Sequence, residues 1–203
     1  ACDRISDTAR AHRRAFIVEV MGRHCGFLAM RAGIAAEADC ILYGEAGSQD
    51  EDALVEQITG ALDTCFGHDK TRALIIKAEG VAVPTMVLTA RVQAWLDEHH
   101  AGVDIRETVL GHVVRGGNPS ALDRVIAQRL GFGAVAACER GVHDVMLGWD
   151  VPDKFGVETA DSYVRIVPIA DMLAETERLL DGTSPVVRRR LALLEKVEGI
   201  LAL

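Results

Sequence analysis

The chain of 203 residues is 49% hydrophobic and 26% charged, which is typical of a folded globular protein and excludes a disordered or membrane-embedded chain. Its 22 lysines and arginines against 30 aspartates and glutamates give a formal net charge of −8. Because an acidic surface repels polyanions, this charge argues against a general binder of nucleic acids or of anionic membranes. Any anion that the protein binds must be held by a local group of donors.

The five cysteines are scattered and include no C-x-x-C pair, which is the pattern of reduced, mostly buried thiols. No stretch reaches the ~18 consecutive apolar residues of a membrane-spanning helix. We therefore expect a cytoplasmic protein with no membrane or nucleic-acid partner. The sequence begins with Ala1, and 1–12 has the pattern of a helix already under way, so we expect a fragment of a longer protein.

Apolar runs alternate with helical patterns along the chain. The strand candidates, several of them rich in Val and Ile, are 15–20, 40–43, 73–78, 105–110, 142–147 and 164–167. The expected helices are 26–38, 50–66, 85–99, 118–129, 169–180 and 185–197. Runs that are apolar on both faces and are joined by helices favour parallel strands in a covered sheet. We expect an α/β fold in which a mainly parallel sheet is flanked by helices.

No repeat, low-complexity tract or linker divides the sequence, so we expect a single domain over 1–203, with the helices of 168–203 packing on it. Two helix starts carry specific signals. Thr85 follows Pro84 and can cap the helix that begins there. Asn118 with Pro119 predicts a capping residue followed by proline in the first helical position.

Unusual polar and glycine residues follow three of the predicted strands. They are Met21, Gly22 and Arg23 after the first strand, Glu79 and Gly80 after 73–78, and Gly111, His112, Arg115, Gly116 and Gly117 after 105–110. Open α/β sheets bind their ligands at the carboxyl ends of the strands. We therefore expect the three loops to converge on one pocket.

The chemistry of these residues suits a phosphorylated sugar. Gly22 allows close approach, and Arg23 is expected to begin the next helix, where free backbone N–H groups attract an anion. His112 and Arg115 add charged or polar donors. Glu79 can only accept hydrogen bonds when ionised, which suits a sugar hydroxyl.

Each of these residues also has a simpler structural interpretation. Glycines at strand ends are more often required by backbone geometry than by a ligand. His112 can be a satisfied structural histidine, Glu79 a cap or the partner of an arginine, and Arg115 the partner of Asp123 or another acid. Only their coincidence at one sheet edge favours a site.

Three stretches of the chain resemble the second half of the 6-phosphofructokinases. They are FIVEVMGRHCGFLA at 16–29, Glu79-Gly80, and VLGHVVRGGNPS at 109–120 followed by Asp123-Arg124. They occur in the order and at the spacing of that family, and weaker similarity extends over nearly the whole chain. The resemblance implies a Rossmann-like layered α/β fold.

The resemblance also implies roles for the residues of the first two loops. Met21, Gly22 and Arg23 match a loop that contacts fructose 6-phosphate, and Arg23 also reaches toward the transferred phosphoryl group. Glu79 matches a carboxylate that binds sugar hydroxyls.

Further roles concern the phosphate of the sugar and a neighbouring subunit. His112 and Arg115 match residues that hold the 6-phosphate. Arg14 and Arg106 match arginines that reach across a subunit interface of a homo-oligomer, a dimer or tetramer, into the neighbour's site. Without the resemblance, both would be ordinary solvated charges.

The glycine-rich donor loop, the metal-binding aspartate and the catalytic base of this family lie upstream of the matched region and are absent from this chain. We therefore expect the intact protein to be a cytoplasmic glycolytic 6-phosphofructokinase that uses Mg²⁺, with ligands in that upstream part, and ATP as the favoured donor. The chain alone should be inactive. The alternatives are pyrophosphate as the donor, a non-catalytic sugar-phosphate-binding or regulatory subunit, and a match that reports only the fold.

One departure from the family concerns allosteric control. Glu37 and Asp39 stand where many bacterial relatives have Gly and then Glu in their effector pocket, and much of the basic cluster near Lys70 is replaced. An added carboxylate and fewer cations would repel a phosphorylated effector.

Overall fold

The computed structural model describes residues 1–45, 49–151 and 156–201. The chain forms two compact units, one made of 1–114 with 179–203 and the other of 115–178. The prediction of a single domain over 1–203 stays a prediction, and each unit is described here by itself.

The first unit is built on a four-stranded parallel sheet. Its strands are β1 (Arg14–Val20), β2 (Cys40–Leu42), β3 (Arg72–Ala78) and β4 (Asp104–Val109). Their order in the sheet is β2-β3-β1-β4, and β1 pairs in parallel with both β3 and β4. The sequence predicted all four strands to within a residue at each end, and their parallel arrangement is confirmed.

Helices cover both faces of this sheet. They are α1 (Cys2–His12), α2 (Phe27–Ala35), α3 (Glu51–Gly67), α4 (Thr85–His99) and, after the second unit, α7 (Pro185–Leu201). Helices α3 and α4 contact each other and lie on one face, and right-handed crossovers place α2 on the other. Helix α7 contacts α2. This arrangement confirms the predicted α/β fold.

The core of the first unit lies in the central strands and the helices beside them. Ile17, Leu74, Ile75 and Ile76 of the two middle strands are 0–1% exposed, and Leu88 of α4 is 0% exposed. Burial of each such side chain stabilises the fold by roughly 1.5–3 kcal/mol. The sheet edge that carries the loops is therefore a rigid support.

The second unit consists of α5 (Ala121–Glu139), a small sheet and α6 (Ile169–Leu180), which runs to the unit boundary. The strands β5 (Val145–Trp149), β6 (Val157–Glu158) and β7 (Val164–Pro168) lie in the order β5-β7-β6 and are antiparallel. The expectation of parallel strands is wrong for this unit. The strand predicted at 142–147 begins at Val145, three residues later than predicted. A parallel connection needs a crossover that is usually a helix, and the residues described between β5 and β7, 150–151 and 156–163, form β6 but no helix.

Two predicted helix starts also differ from the structure. Pro84, not Thr85, precedes the first turn of α4 as its cap residue. Helix α5 is capped by Ser120, whose side chain accepts from the Asp123 N–H while the Asp123 carboxylate accepts from the Ser120 N–H. This reciprocal capping box satisfies more of the free amides than Asn118 could from two residues earlier.

Among the described helices, none is long and apolar enough to cross a membrane.

Candidate functional site

The three loops predicted to form a site begin at one edge of the first unit. Strand β1 lies between β3 and β4, so the loops after these strands are neighbours. The ladders continue into the loops, because the Glu79 N–H donates to the Val20 carbonyl at 3.0 Å and the Leu110 N–H donates to the Glu19 carbonyl at 3.1 Å. The sheet therefore positions the start of each loop directly.

Glu79 holds the loop that follows β1. Its Oε1 accepts a hydrogen bond from the Gly22 N–H at 2.9 Å and a second from the Arg23 N–H. Hydrogen bonds from neutral amides to a carboxylate are charge-assisted and stronger than neutral ones. The simpler interpretation of Glu79, as a cap for a neighbouring loop, is thus observed. The contact of Glu79 with a sugar hydroxyl stays a prediction.

The backbone of the two loops is tightly fitted. Gly22 has φ +152° and Arg23 has φ +52°, and the Cys25 N–H donates to the Gly22 carbonyl at 3.0 Å. A Cβ on Gly80 would lie 2.5 Å from the Arg23 carbonyl oxygen, far inside normal contact distance. Glycine at 80 is therefore required by the close approach of the two loops.

The expected backbone cradle for an anion is not formed. Arg23 does not begin a helix, because a turn intervenes and α2 starts only at Phe27. The amides of Gly22 and Arg23 are bonded to Glu79, and the Gly26 N–H donates to the buried Glu45 carboxylate at 2.6 Å. Carboxylates of the protein thus bind the amides that were expected to bind a phosphate, so an anion at this edge must be recognised by side chains.

Side chains with suitable charge are present at the same edge. Arg23 is exposed, and His112 is exposed on a short 3₁₀ helix, Gly111–Val114, that follows β4. Met21 is half-buried beside them in sequence. Arg115 is exposed and is the first residue of the second unit, so its place in the site stays a prediction, as do the roles of the other three.

Beneath the loops lies a buried polar network that the sequence analysis missed. Lys77 is 2% exposed, and its Nζ lies 3.0 Å from Glu19 Oε2. The Thr85 hydroxyl donates to the same carboxylate oxygen. Glu19 and Lys77 are paired in the β1–β3 register, two residues before Met21 and Glu79. The sequence does contain a signal for this pair. Glu19 and Lys77 are the charged residues within the apolar runs 15–20 and 73–78, and each is the next-to-last residue of its run.

Arg14 and Arg106 lie away from this edge. Arg14 Nε is 3.6 Å from Asp104 Oδ2, and Arg106 Nη2 is 3.0 Å from the same oxygen. Arg14 opens β1, so about 20 Å of strand separates its Cα from that of Val20, at ~3.3 Å per residue. Both side chains end at Asp104, the first residue of β4, and not at the loops, and their use by a neighbouring subunit stays a prediction.

The region compared with the effector pocket is a cleft of about 470 Å³ that is lined by both acidic and basic residues. Asp39 lies 3.4 Å from Lys70 and 3.8 Å from Arg72, and Glu37 lies 3.9 Å from Arg72. Burial and the nearby Asp39 carboxylate raise the pKa of Cys65 to about 12. Lys70 and Arg72 of this cleft already have carboxylate partners, which agrees with weakened attraction for a phosphorylated effector.

The described residues do not fit a bound magnesium ion. In ranges 1–45, 49–151 and 156–201, no group of three or more His, Cys, Asp or Glu side chains is placed to hold a metal.

Comparison with known proteins agrees with this architecture. The phosphofructokinase family model matches residues 1–138. The ATP-dependent 6-phosphofructokinase of Clostridium botulinum (strain Eklund 17B / Type B) is 41% identical over 148 residues, which are 73% of this chain and 43% of that protein. Phosphofructokinase from Saccharomyces cerevisiae superimposes with a TM-score of 0.74 at 26% identity, over 97% of this chain and 26% of its own.

A pyrophosphate-dependent phosphofructokinase from Nitrosospira multiformis shares the fold, with a TM-score of 0.62 and 19% identity over 84% of this chain and 44% of its own. The Rossmann-like α/β fold implied by the resemblance is thereby confirmed. The chain spans less than half the length of the curated relatives that it matches. A family match over residues 1–138 and 41% identity to a curated relative show that the chain belongs to the phosphofructokinase family.

Proposed function

We propose that this chain provides the acceptor-sugar site of a 6-phosphofructokinase, which phosphorylates fructose 6-phosphate at O1 to give fructose 1,6-bisphosphate. The observation that carries the proposal is the pair of hydrogen bonds that the Glu79 carboxylate accepts from the backbone amides of Gly22 and Arg23. They fix the backbone of Arg23, whose side chain is exposed, at the sheet edge that also carries His112. A phosphate ester needs such fixed cationic and polar donors, because they must replace its hydration.

Each site residue has a part in this scheme. Met21 and Gly22 shape the sugar-binding loop, and Glu79 accepts a hydrogen bond from a sugar hydroxyl. His112 and Arg115 hold the 6-phosphate. The Arg23 guanidinium offsets the charge that develops on the transferred phosphoryl group.

The rest of the reaction is assigned to the portion of a phosphofructokinase upstream of the segment that this chain resembles, called here the donor half. Sugar O1 forms a bond to the terminal phosphorus of the donor, the bond from that phosphorus to the leaving phosphate breaks, and a base on the donor half accepts the O1 proton. Mg²⁺ held there would neutralise the charge of the donor. This chain binds and orients the acceptor and is inactive alone.

ATP is the favoured donor because the C. botulinum relative is named ATP-dependent. Pyrophosphate is the alternative, suggested by the fold shared with the N. multiformis protein. Measuring fructose 1,6-bisphosphate formed with each donor, by this chain joined to its donor half, separates the two. No turnover with either donor would favour a non-catalytic sugar-phosphate-binding subunit in a glycolytic, cytoplasmic setting.

We further assign Arg14 and Arg106 to the site of a neighbouring subunit in a homo-oligomer. The contacts of both side chains with Asp104, at the amino end of β4 and away from the loops of their own chain, support this assignment. A monomeric form of the chain would then bind fructose 6-phosphate more weakly than an oligomer. Equal affinities of the two forms would reject the shared site.

Isothermal titration of fructose 6-phosphate into the purified chain tests the site. Loss of one charge-assisted phosphate contact corresponds to about 1.5–3 kcal/mol, so Arg115→Ala should weaken binding by at least about tenfold. Arg4→Ala, an exposed arginine of α1, is the matched control and should leave the affinity unchanged. Equal binding by Arg115→Ala, or equal binding of unphosphorylated fructose, would refute the proposal.

A further inference from the structure

Glu45 is a buried acid in the loop after β2, beside the candidate site. It is 9% exposed, and its Oε1 accepts a hydrogen bond from the Gly26 N–H at 2.6 Å. Its Oε2 is buried and has no hydrogen-bond partner among the residues that the structure describes. Burial of a carboxylate costs free energy unless its oxygens are hydrogen-bonded. Stability alone therefore does not explain why an acid stands at this position.

The segment 22–26, called here the Arg23 loop, is held at both ends by carboxylates. Two amides at its start donate to Glu79, and the Gly26 N–H at its end donates to Glu45. Within the loop, the Cys25 N–H donates to the Gly22 carbonyl at 3.0 Å. The two acids follow different strands, β3 and β2, while the loop itself follows β1. Three strands of the sheet therefore determine the shape of this one short loop.

The loops after these three strands are packed too closely to shift independently. A Cβ on Gly26 would lie 2.6 Å from Tyr43 Cβ and 2.7 Å from Glu45 Oε2. A Cβ on Gly44 would lie 3.2 Å from the Gly80 carbonyl oxygen. Distances this short mean that the backbones approach each other with no side chain between them. The loop after β2 is thus fixed against the other two, and it gives Glu45 a firm support.

We propose that Glu45 is a positioning residue of the sugar-phosphate site. Through the Gly26 amide it holds the far end of the Arg23 loop, and so it fixes the loop that is assigned to fructose 6-phosphate without touching the ligand. The inference rests on the proposed function. A loop held by Glu79 alone would keep its freedom at the second end, and ordering a free segment on binding subtracts from the affinity.

Two conservative variants separate the reach of Glu45 from its charge. Glu45→Gln keeps the length of the side chain and an oxygen that can accept from Gly26, but it carries no charge. Glu45→Asp keeps the charge but is one methylene shorter, so its carboxylate is drawn away from the amide. We expect Glu45→Asp to bind fructose 6-phosphate at least about fivefold more weakly, the factor that corresponds to ordering about one backbone residue on binding. Glu45→Gln should bind as the unmodified chain does.

Isothermal titration of the purified chain measures these affinities, and Glu98 provides the matched controls. Glu98 is an exposed acid in the last turn of α4. Glu98→Asp and Glu98→Gln make the same chemical changes there and should leave the affinity unchanged. Urea unfolding of each variant gives its folded fraction, so that any loss of affinity can be assigned to the folded chain.

Amide hydrogen exchange in the free chain gives a second readout that needs no ligand. In Glu45→Asp the amides of Gly22 and Arg23 should exchange faster than in the unmodified chain, although their bonds to Glu79 are untouched, because the loop opens as a unit. Glu45→Gln should keep their protection. Faster exchange at Gly26 alone would mean that Glu45 affects only its own contact, and this result would overturn the proposal.

The titrations can overturn it as well. Equal binding by Glu45→Asp would show that the reach of the side chain does not matter. A change of affinity in Glu45→Gln that Glu45→Asp does not share would show that the charge acts on the ligand. A loss in Glu45→Asp that unfolded chain accounts for entirely would leave Glu45 with a structural role only.

The two readouts separate this inference from the proposed function. If the unmodified chain binds no fructose 6-phosphate, the sugar site is refuted, and the exchange measurement still decides whether Glu45 positions the Arg23 loop. If the unmodified chain and Glu45→Asp bind the sugar phosphate equally well, the sugar site stands and the positioning role is refuted.

Discussion

Substitution of Lys77 by Met tests how far the buried network supports the loops of the candidate site. Removing one partner of a buried ion pair usually costs 3–5 kcal/mol, since the other charge is left buried and unpaired. Here Glu19 keeps the hydrogen bond from Thr85, and 22% of its side chain is exposed. We therefore expect the lower end of that range, about 3 kcal/mol of lost unfolding free energy. For a chain of this length, this corresponds to a fall in melting temperature of about 6–12 °C.

The assay must report on the first unit alone. The chain contains two tryptophans, Trp95 on α4 of the first unit and Trp149 on β5 of the second. In a Trp149→Phe background, the fluorescence of Trp95 during urea unfolding follows the unit that contains Lys77. Lys70→Met is the matched control, because Lys70 is 33% exposed and 3.4 Å from Asp39, and partly exposed pairs contribute about 1 kcal/mol or less.

A double variant decides whether the cost comes from the unpaired charge. Lys77→Met with Glu19→Gln removes both charges, and replacing a whole buried pair by neutral groups is often nearly neutral. We expect the double variant to be more stable than Lys77→Met by about 2 kcal/mol. If Lys77→Met matches Lys70→Met in stability, or if the double variant is no more stable than Lys77→Met, the reasoning is refuted.

Three further predictions follow from single contacts. Gly80→Ala should displace the Arg23 carbonyl, which would lie 2.5 Å from the new Cβ, and so weaken fructose 6-phosphate binding in a calorimetric titration; unchanged affinity would show that the loop yields freely. Hydrogen bonds from Arg129 lower the pKa of Asp161, so this group stabilises the second unit above about pH 4, its unfolded pKa. That contribution should be lost as the pH falls through the folded pKa. The unfolding midpoint, followed by Trp149 fluorescence, should therefore fall less steeply at acid pH in Asp161→Asn than in the unmodified chain. A maleimide should label the exposed Cys138 long before Cys65, whose buried thiol has its pKa raised to about 12; labelling in the reverse order would contradict this burial.

The sequence predicts the first unit well because its signals are local. A run that is apolar on both faces, such as 73–78, identifies a strand between two helical layers, and alternation with helices identifies parallel pairing. The runs 142–147 and 164–167 look similar, yet they pair antiparallel with each other. The difference lies in the connection, whose described residues, 150–151 and 156–163, form β6 but no crossover helix. Orientation therefore depends on the segment between two strands and not on the strands themselves.

The candidate site could be predicted only in part, for a related reason. Residues at the carboxyl ends of parallel strands share an edge whatever their identity, so the positions of Arg23, Glu79 and His112 follow once the strands are known. The partner of Glu79 depends on which strands are neighbours and on backbone conformations such as φ +52° at Arg23. Those features come from tertiary packing, which no local pattern of residues reports.

The two hydrogen bonds that Glu79 accepts from the loop after β1 also affect how a ligand would be bound. Because the amides of Gly22 and Arg23 are held by a carboxylate of the protein, the loop is ordered before any sugar phosphate arrives. Ordering a flexible loop on binding would subtract from the affinity, so a loop that is already fixed leaves more of the contact free energy for the ligand. Because these two amides already donate to Glu79, they are not donors to a ligand. Recognition of a ligand at this edge therefore depends on side chains such as those of Arg23 and His112. An anion that bound this edge through backbone amides would first have to displace Glu79, and that exchange would cost two charge-assisted hydrogen bonds.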